Sequence, residues 1–306
     1  TRLLLSVKNI SINYSNTNGT FLPGFIYEPH FLGQEWSNMA PGIPFVLGSQ
    51  KDIRLTAGQK GWITKDTTLN TLYTRNKSSN LTLRSTVEPF KQFRIELTAT
   101  KTSSNNSQEY YKWNSLDNSF TSYSPTESGT YSISFLSIST SFINDDDDYA
   151  SSIFAKFRGY RTTIANRLAA QNPNFNGGID PLTGYPIEYS ILGNDTIVTG
   201  GYGGTSQEVL IPAFLAAYSG INPNKIKLTS MPVFPLPNWR INYDGLIRLG
   251  FIKRHFKTFT IAHSYRSTFT IGSYITNLDY GNGDEININN LSYHVDKEIS
   301  QITINE

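Results

Sequence analysis

Leu81-Thr82-Leu83-Arg84-Ser85-Thr86-Val87-Glu88, then Pro89-Phe90-Lys91-Gln92, then Phe93-Arg94-Ile95-Glu96-Leu97-Thr98-Ala99-Thr100 is the stretch on which the fold turns. Successive side chains of a strand point to opposite faces, so a period of two sorts residues onto two surfaces. Leu81, Leu83 and Val87 share a face with Ser85, opposite Thr82, Arg84, Thr86 and Glu88. After the Pro-containing reversal, Phe93, Ile95, Leu97 and Ala99 oppose Arg94, Glu96, Thr98 and Thr100. Two strands, each apolar on one side and wet on the other and tightly joined, define an antiparallel hairpin. The same pattern serves the half-solvated sheet of a soluble protein and the wall of a membrane barrel.

The alternation continues in both directions. Ile10, Ile12 and Tyr14 fall opposite Asn9, Ser11 and Asn13. From about residue 16 to 61 the chain is turn-rich, with Leu22-Pro23-Gly24 and Met39-Ala40-Pro41-Gly42; so long an unpatterned stretch is usually functional or lumenal. Strand-like patterns return at 109–113 and 131–139. The period then changes: Ile153, Phe154, Phe157, Ile164 and Leu168 recur at helical spacing over 151–170. A second helix is expected at 206–218, with Thr205-Ser206-Gln207-Glu208 as capping box, Gly220 as its stop and Pro212 as a kink or a delayed start. With the Gly/Pro/Asn-rich loop between them, 145–220 reads as a helix-and-loop insertion. Strands resume at Trp239, Ile241 and Tyr243. The longest run is 258–278, with Phe259, Ile261, His263, Tyr265, Ser267, Phe269 and Ile271 on one face. Unbroken, it would extend roughly 65 Å at about 3.3 Å per residue, whereas a membrane crossing takes only about 9–11 residues. Strands that overshoot the bilayer belong to large barrels, so this run favours the barrel over the soluble sheet. Ser300-Gln301-Ile302-Thr303-Ile304-Asn305-Glu306 alternates like one more strand, and both ends are expected to be cuts within a longer protein.

Composition agrees. Aromatics make up 13% of the chain, beside abundant Ser, Thr and Asn, a mixture that suits strands with one apolar and one wet face. A net charge of +2 with 16% charged residues gives no sign of a polyanion partner, so no nucleic acid is expected. The absence of cysteine excludes disulfides, thiolate zinc sites and cysteine nucleophiles. There is no apolar run of the roughly 18 residues a spanning helix needs, and Thr1-Arg2-Leu3-Leu4-Leu5-Ser6 is too short for the apolar region of a signal peptide. No repeat with a period of about 20–50 residues is visible, against propellers and solenoids.

Candidate sites are few. Asp145, Asp146, Asp147 and Asp148 favour a helix start, and as four adjacent acids they lack the spaced ligands and turn glycine of a Ca²⁺ loop. His30, His255, His263 and His294 show no metal-ligand spacing. Gly200, Gly201, Tyr202, Gly203 and Gly204 precede a helix, but without the Gly-Lys-Ser/Thr ending of a phosphate loop they read as a joint. Phe251-Ile252-Lys253-Arg254-His255-Phe256-Lys257 is basic and aromatic, suited to lipid headgroups at a turn or short interfacial helix. The Asn-x-Ser/Thr triplets, as at Asn76 and Asn80, are what chance provides in so Asn-, Ser- and Thr-rich a chain. No nucleophile elbow or His–Asp–Ser grouping stands out, so neither catalytic, cofactor nor metal residues are assigned and no enzyme is expected.

Ordered blocks along the chain carry a resemblance. They are Asn38-Met39-Ala40-Pro41-Gly42, Phe45-Val46-Leu47-Gly48-Ser49-Gln50, Gly61-Trp62-Ile63-Thr64, Glu88-Pro89-Phe90 with Phe93-Arg94-Ile95-Glu96-Leu97-Thr98-Ala99, Thr205-Ser206-Gln207-Glu208-Val209-Leu210-Ile211-Pro212-Ala213-Phe214-Leu215-Ala216-Ala217-Tyr218, Leu236-Pro237-Asn238-Trp239-Arg240-Ile241-Asn242-Tyr243-Asp244-Gly245-Leu246, and His263-Ser264-Tyr265-Arg266-Ser267-Thr268. Together, from about residue 9 to 306, they resemble the SprA/Sov family, the outer-membrane translocon of the type IX secretion system of Bacteroidota. The resemblance implies an all-β fold: residues 1–306 as part of the C-terminal portion of one very large antiparallel transmembrane β-barrel, with helical and loop insertions. It implies a protein-conducting pore that exports folded cargo proteins and serves gliding motility in some members. A lateral opening in its wall, a PorV-type barrel and a periplasmic Plug protein come with it. A TonB-dependent or porin-like transporter and a soluble glycan-binding β-sandwich stand as alternatives.

Overall fold

The computed structural model describes residues 6–143, 151–171, 189–192, 195–198, 207–229, 231–276 and 297–305. Its frame is one antiparallel sheet. Strand β1 (Val7–Phe21) pairs with β2 (Tyr73–Phe90), β2 with β3 (Phe93–Asn114), and β3 with β4 (Ser119–Ser134). Two short strands stand apart as a hairpin, β5 (Tyr189–Leu192) and β6 (Asp195–Val198). Then β7 (Asn238–Tyr243) pairs with both β3 and β8 (Ile261–Tyr265), while β9 (Thr268–Thr276) pairs with β4 and with β10 (Lys297–Asn305). Among the described residues the sheet is open, with β1 at one edge and β8 and β10 at the other.

The register shows what β4 and β7 are to each other. Along β3, Phe93 to Thr98 face Tyr243 to Asn238, and Lys101 to Asn114 face Ile133 to Ser119. Thus β4 and β7 are two halves of one ribbon, interrupted by residues 135–237. Opposite them β8 and β9 are the halves of the next ribbon, and the eight-stranded sheet traces an up-and-down meander.

The hairpin read from the sequence is present, with Lys91 and Gln92 at its tip and Gln92 at φ 68°. Four boundaries differ from expectation. The run at 258–278 is not one strand: it breaks at Arg266-Ser267. The cause lies in the neighbouring ribbon, where the insertion leaves. Ser267 accepts the amide of Phe135 (3.0 Å) and donates its own to Asn238 Oδ1 (2.9 Å), while Leu236 N–H bonds Ser134 O (3.0 Å). The long strands are instead β2, with 18 residues, and β3, with 22. Second, β1 runs on to Phe21, past Asn16, since Asn, Thr and Gly with both faces wet carry no apolar pattern but still pair with β2. Third, 109–113 belongs to β3, and the pattern at 131–139 stops pairing at Ser134. Fourth, β4 ends at Ser134 and β7 begins at Asn238, so the chain leaves this ribbon before residue 145 and rejoins it after 220.

Within that insertion, helix α3 (Ser152–Gln171) starts where Ser151 Oγ accepts the amide of Phe154 at 3.3 Å. Thr205 and Ser206 of the expected capping box of α4 (Gln207–Ser219), and the four aspartates, lie outside the described residues. Helix α4 ends as its glycine demands: Gly220 takes φ 69°, Ile221 N–H bonds Ala216 O (3.1 Å) and Gly220 N–H bonds Ala217 O (3.4 Å). Pro212 sits inside the helix, fully buried. The insertion stacks as sheet, α4, then α3. Ile211 and Leu215 press on Tyr131, Ile133, Phe135, Phe269 and Ile271, while Val209 and Ala213 meet Ile164, Ala165 and Leu168. Each large side chain so buried contributes about 1.5–3 kcal/mol.

Candidate functional site

Directly opposed residues in an antiparallel pair share a face. Reading the register across the lower sheet gives apolar rows: Ile12, Leu83 and Ala99; Ile10, Ser85, Leu97, Trp239 and Tyr265; Val87, Ile95, Ile241 and His263; Phe93, Tyr243 and Ile261. From Phe93 to Ala99 this band is roughly 20 Å tall at about 3.3 Å per residue. Ile10, Ile12 and Tyr14 are 67%, 70% and 63% exposed, and the rest of the band is mostly half-buried, with no helix or second sheet across it among the described residues. Aromatics mark its two ends. Phe90, Phe93 and Tyr243 cluster with ring centroids 4.7–5.6 Å apart below, and Trp239 stacks on Tyr265 at 4.5 Å above. The opposite face of the same strands is polar: Asn13, Thr82 and Thr100; Ser11, Arg84, Thr98 and Asn238; Asn9, Thr86, Glu96, Arg240 and Ser264. Its charges meet one another, Arg94 with Glu96 at 2.9 Å.

Above the band the apolar side is covered twice. The α4 patch on β4 and β9 is one cover. The other is the segment 22–72, which carries α1 (Ile43–Val46) and α2 (Arg54–Gln59) and packs Ala40, Ala57, Trp62 and Ile63 on Tyr73 and Tyr111. Arg54 ties it down. Its guanidinium pairs with Asp52 (2.6 Å) and with buried Glu109, donates to Ser122 Oγ (3.3 Å), and lies over the rings of Tyr73 and Tyr111. The Arg54 hydrogen bonds hold the Asp52 carboxyl below its usual range, and burial raises the phenols of Tyr73 and Tyr111. Gln34, fully buried, accepts Gly42 N–H (3.1 Å) and donates to Glu35 O (3.2 Å), closing the loop around cis Pro41.

The insertion is sewn to the sheet at one seam. Ser137 Oγ is 2.8 Å from Ser267 Oγ and 3.1 Å from the Tyr265 hydroxyl, which accepts Ser137 N–H at 2.7 Å. Near α4's start, burial raises the Glu208 carboxyl to about 7, and its Oε1 has no hydrogen-bond partner among the described residues.

The residues weighed in the sequence are not brought together. His30 and His263 are exposed on different elements, and His255 bonds Phe251 O (3.0 Å) on α5 (Gly250–His255). His294, Asp145 to Asp148 and Gly200 to Gly204 lie outside the described residues. Among the described residues, no three His, Asp or Glu side chains group as metal ligands. Arg54, Glu109 and the Ser137–Ser267 seam were not singled out, because each joins residues far apart in the chain without any local motif. No family model and no curated protein matches the chain.

Proposed function

We propose that the chain is a stretch of wall from a very large β-barrel in the bacterial outer membrane, belonging to a pore that conducts folded proteins in type IX secretion. The observation that carries this reading is the bare apolar band backed by polar side chains on the same strands. A soluble sandwich places a second layer over such a face; here none lies across it among the described residues. Lipid is the medium that leaves an apolar strand face uncovered, with aromatic girdles at its borders and a wet lumen behind it. The pairing edges of β1 and β10 are where neighbouring wall strands would join, since a spanning sheet must satisfy every backbone group.

The tall strands fit the same picture. Beyond Ala99, β3 continues through Asn114 with both faces largely polar, which suits a wall rising past the bilayer on the side opposite the short Lys91-Gln92 turn. Segments 22–72 and 135–237 clothe the lipid-side face above the band, leaving the polar face free to border an aqueous path. They are the surfaces we assign to the PorV-type barrel and to other partners. The ordered sequence blocks favour the translocon over a TonB-dependent or porin-like transporter.

Fractionation tests the membrane part. The protein is expected in outer-membrane fractions and to need detergent for extraction; recovery of intact protein from washed cells without detergent overturns it. Depletion tests the pore. Large cargo proteins are expected to accumulate in the periplasm, whereas normal secretion with failed nutrient uptake would select the transporter.

A further inference from the structure

The connection from β7 to β8 is a short 3₁₀ turn (Gly245–Arg248) followed by α5, and it lies at the same end of the sheet as the Lys91-Gln92 turn, to which Asp244 N–H is bonded through Gln92 O (3.1 Å). Arg248, Lys253, Arg254, His255 and Lys257 line one open cleft of about 740 Å³ together with Phe256. No Asp or Glu falls between Asp244 and Asp279, and the salt bridges found among the described residues include none of these cations. Glu88 and Asp244 are acids at this end of the sheet, but neither lines the cleft. Lys253, Arg254 and His255 occupy the last turn of α5, where they favour the helix dipole, yet Arg248 and Lys257 lie outside that helix and converge on the same opening.

Ile247 and Phe256 are the apolar side chains that line the cleft, and Phe256 packs edge-on to Phe259 at 5.8 Å. Leu249 and Phe251, on the same connection, are exposed. They stand below the Phe90, Phe93 and Tyr243 cluster that closes the apolar band. Cations beside exposed aromatics at the rim of an apolar face are the chemistry of a membrane interface: rings sit at headgroup level and cations meet phosphate.

We propose that this cleft binds the phosphate of an anionic phospholipid in the leaflet facing the short turns. The proposal rests on the outer-membrane reading. Arginine brings a planar fork that matches phosphate oxygens, lysine a mobile point charge, and the ring of Phe256 a floor for the glycerol region.

The test uses the detergent-purified protein and native mass spectrometry, with phosphatidylglycerol or phosphatidylcholine added at equal amounts and inorganic phosphate as a soluble competitor. Phosphatidylglycerol is expected to be retained over phosphatidylcholine. The triple variant R248Q/K253Q/R254Q is expected to lose that retention by roughly fivefold for each charge removed. A variant of equal charge loss at the other end of the molecule, K51Q/K77Q/K112Q, is expected to keep it. Equal retention of the two lipids overturns the proposal, as does equal loss in both variants. Displacement by millimolar inorganic phosphate would assign the cleft to free phosphate and also overturns it. A protein that needs detergent but shows no lipid preference fails here alone; one that needs no detergent takes the membrane reading down with it.

Discussion

Ile133 and Phe269 lie on the same side of the sheet as Ile10 and Leu97, yet the first pair is fully buried under α4 and Ile10 is 67% exposed. Both regions read in the sequence as apolar alternation. The difference lies in what reaches them. Over β4 and β9 the chain leaves the sheet at residue 135, folds α4 back onto the rows just vacated, and rejoins at 238. Over the lower rows of β1, β2, β3 and β7, from Phe93 to Ala99, no described segment returns. One surface is therefore a core in the ordinary sense, dry because protein covers it. The other carries no such cover among the described residues, and in the proposed reading lipid takes that place.

The comparison is broken most directly at Phe269. It is fully buried among Tyr131, Phe135 and the α4 side chains, with ring centroids 6.4 Å and 6.1 Å from the two aromatics. Phe269→Ala is expected to destabilise by about 3–5 kcal/mol through lost burial and the cavity left. Denaturant titration of detergent-solubilised protein checks it. A change below about 1 kcal/mol would show that α4 does not hold this face and that the two regions are alike.

Ile10→Arg probes the other side of the contrast. At an exposed position in water such a change falls within about ±0.5 kcal/mol. On a lipid-facing barrel strand near mid-bilayer, arginine costs about 2–4 kcal/mol. Refolding into vesicles should therefore show a loss of that size for Ile10→Arg and near none for Ser11→Arg, its neighbour on the polar face. Equal effects of the two would mean that the band meets water.

How far these features could be read from the chain depends on where their causes lie. The β2–β3 hairpin was legible, because alternation and turn are both local to 81–100. Helix α3 and the stop of α4 at Gly220 were legible for the same reason. The break at Arg266-Ser267 was not: no Gly, Pro or Asn marks it, since it is imposed by Phe135 and Asn238 arriving from the adjacent ribbon. The upper half of β1 was missed because a strand wet on both faces has no period. At the candidate site, the basic stretch 251–257 was visible as composition, but Arg248 joins it only through the fold. The Arg54–Glu109 pair spans a fold that brings residue 54 onto the far end of β3, and nothing near either residue announces it.

Glu208 sharpens the contrast at smaller scale, since a carboxyl is tolerated under a protein cover only at a cost that depends on pH. Burial raises it from its ordinary value of 4.5 to about 7, against the opposing effect of its own backbone hydrogen bond. The folded state therefore holds a proton over a pH range in which the unfolded chain has released it. Stability contributed by the neutral form is complete below about pH 4.5, falls as pH rises toward 7, and is flat beyond. The full difference is on the order of 3 kcal/mol at about 1.36 kcal/mol per pKa unit. Glu208→Gln should remove that slope, leaving stability at pH 5 nearly unchanged and raising it at pH 8, read from denaturant midpoints across pH. Should the variant keep the slope, the group that loses its proton lies elsewhere, and the start of α4 is wetter than its burial implies.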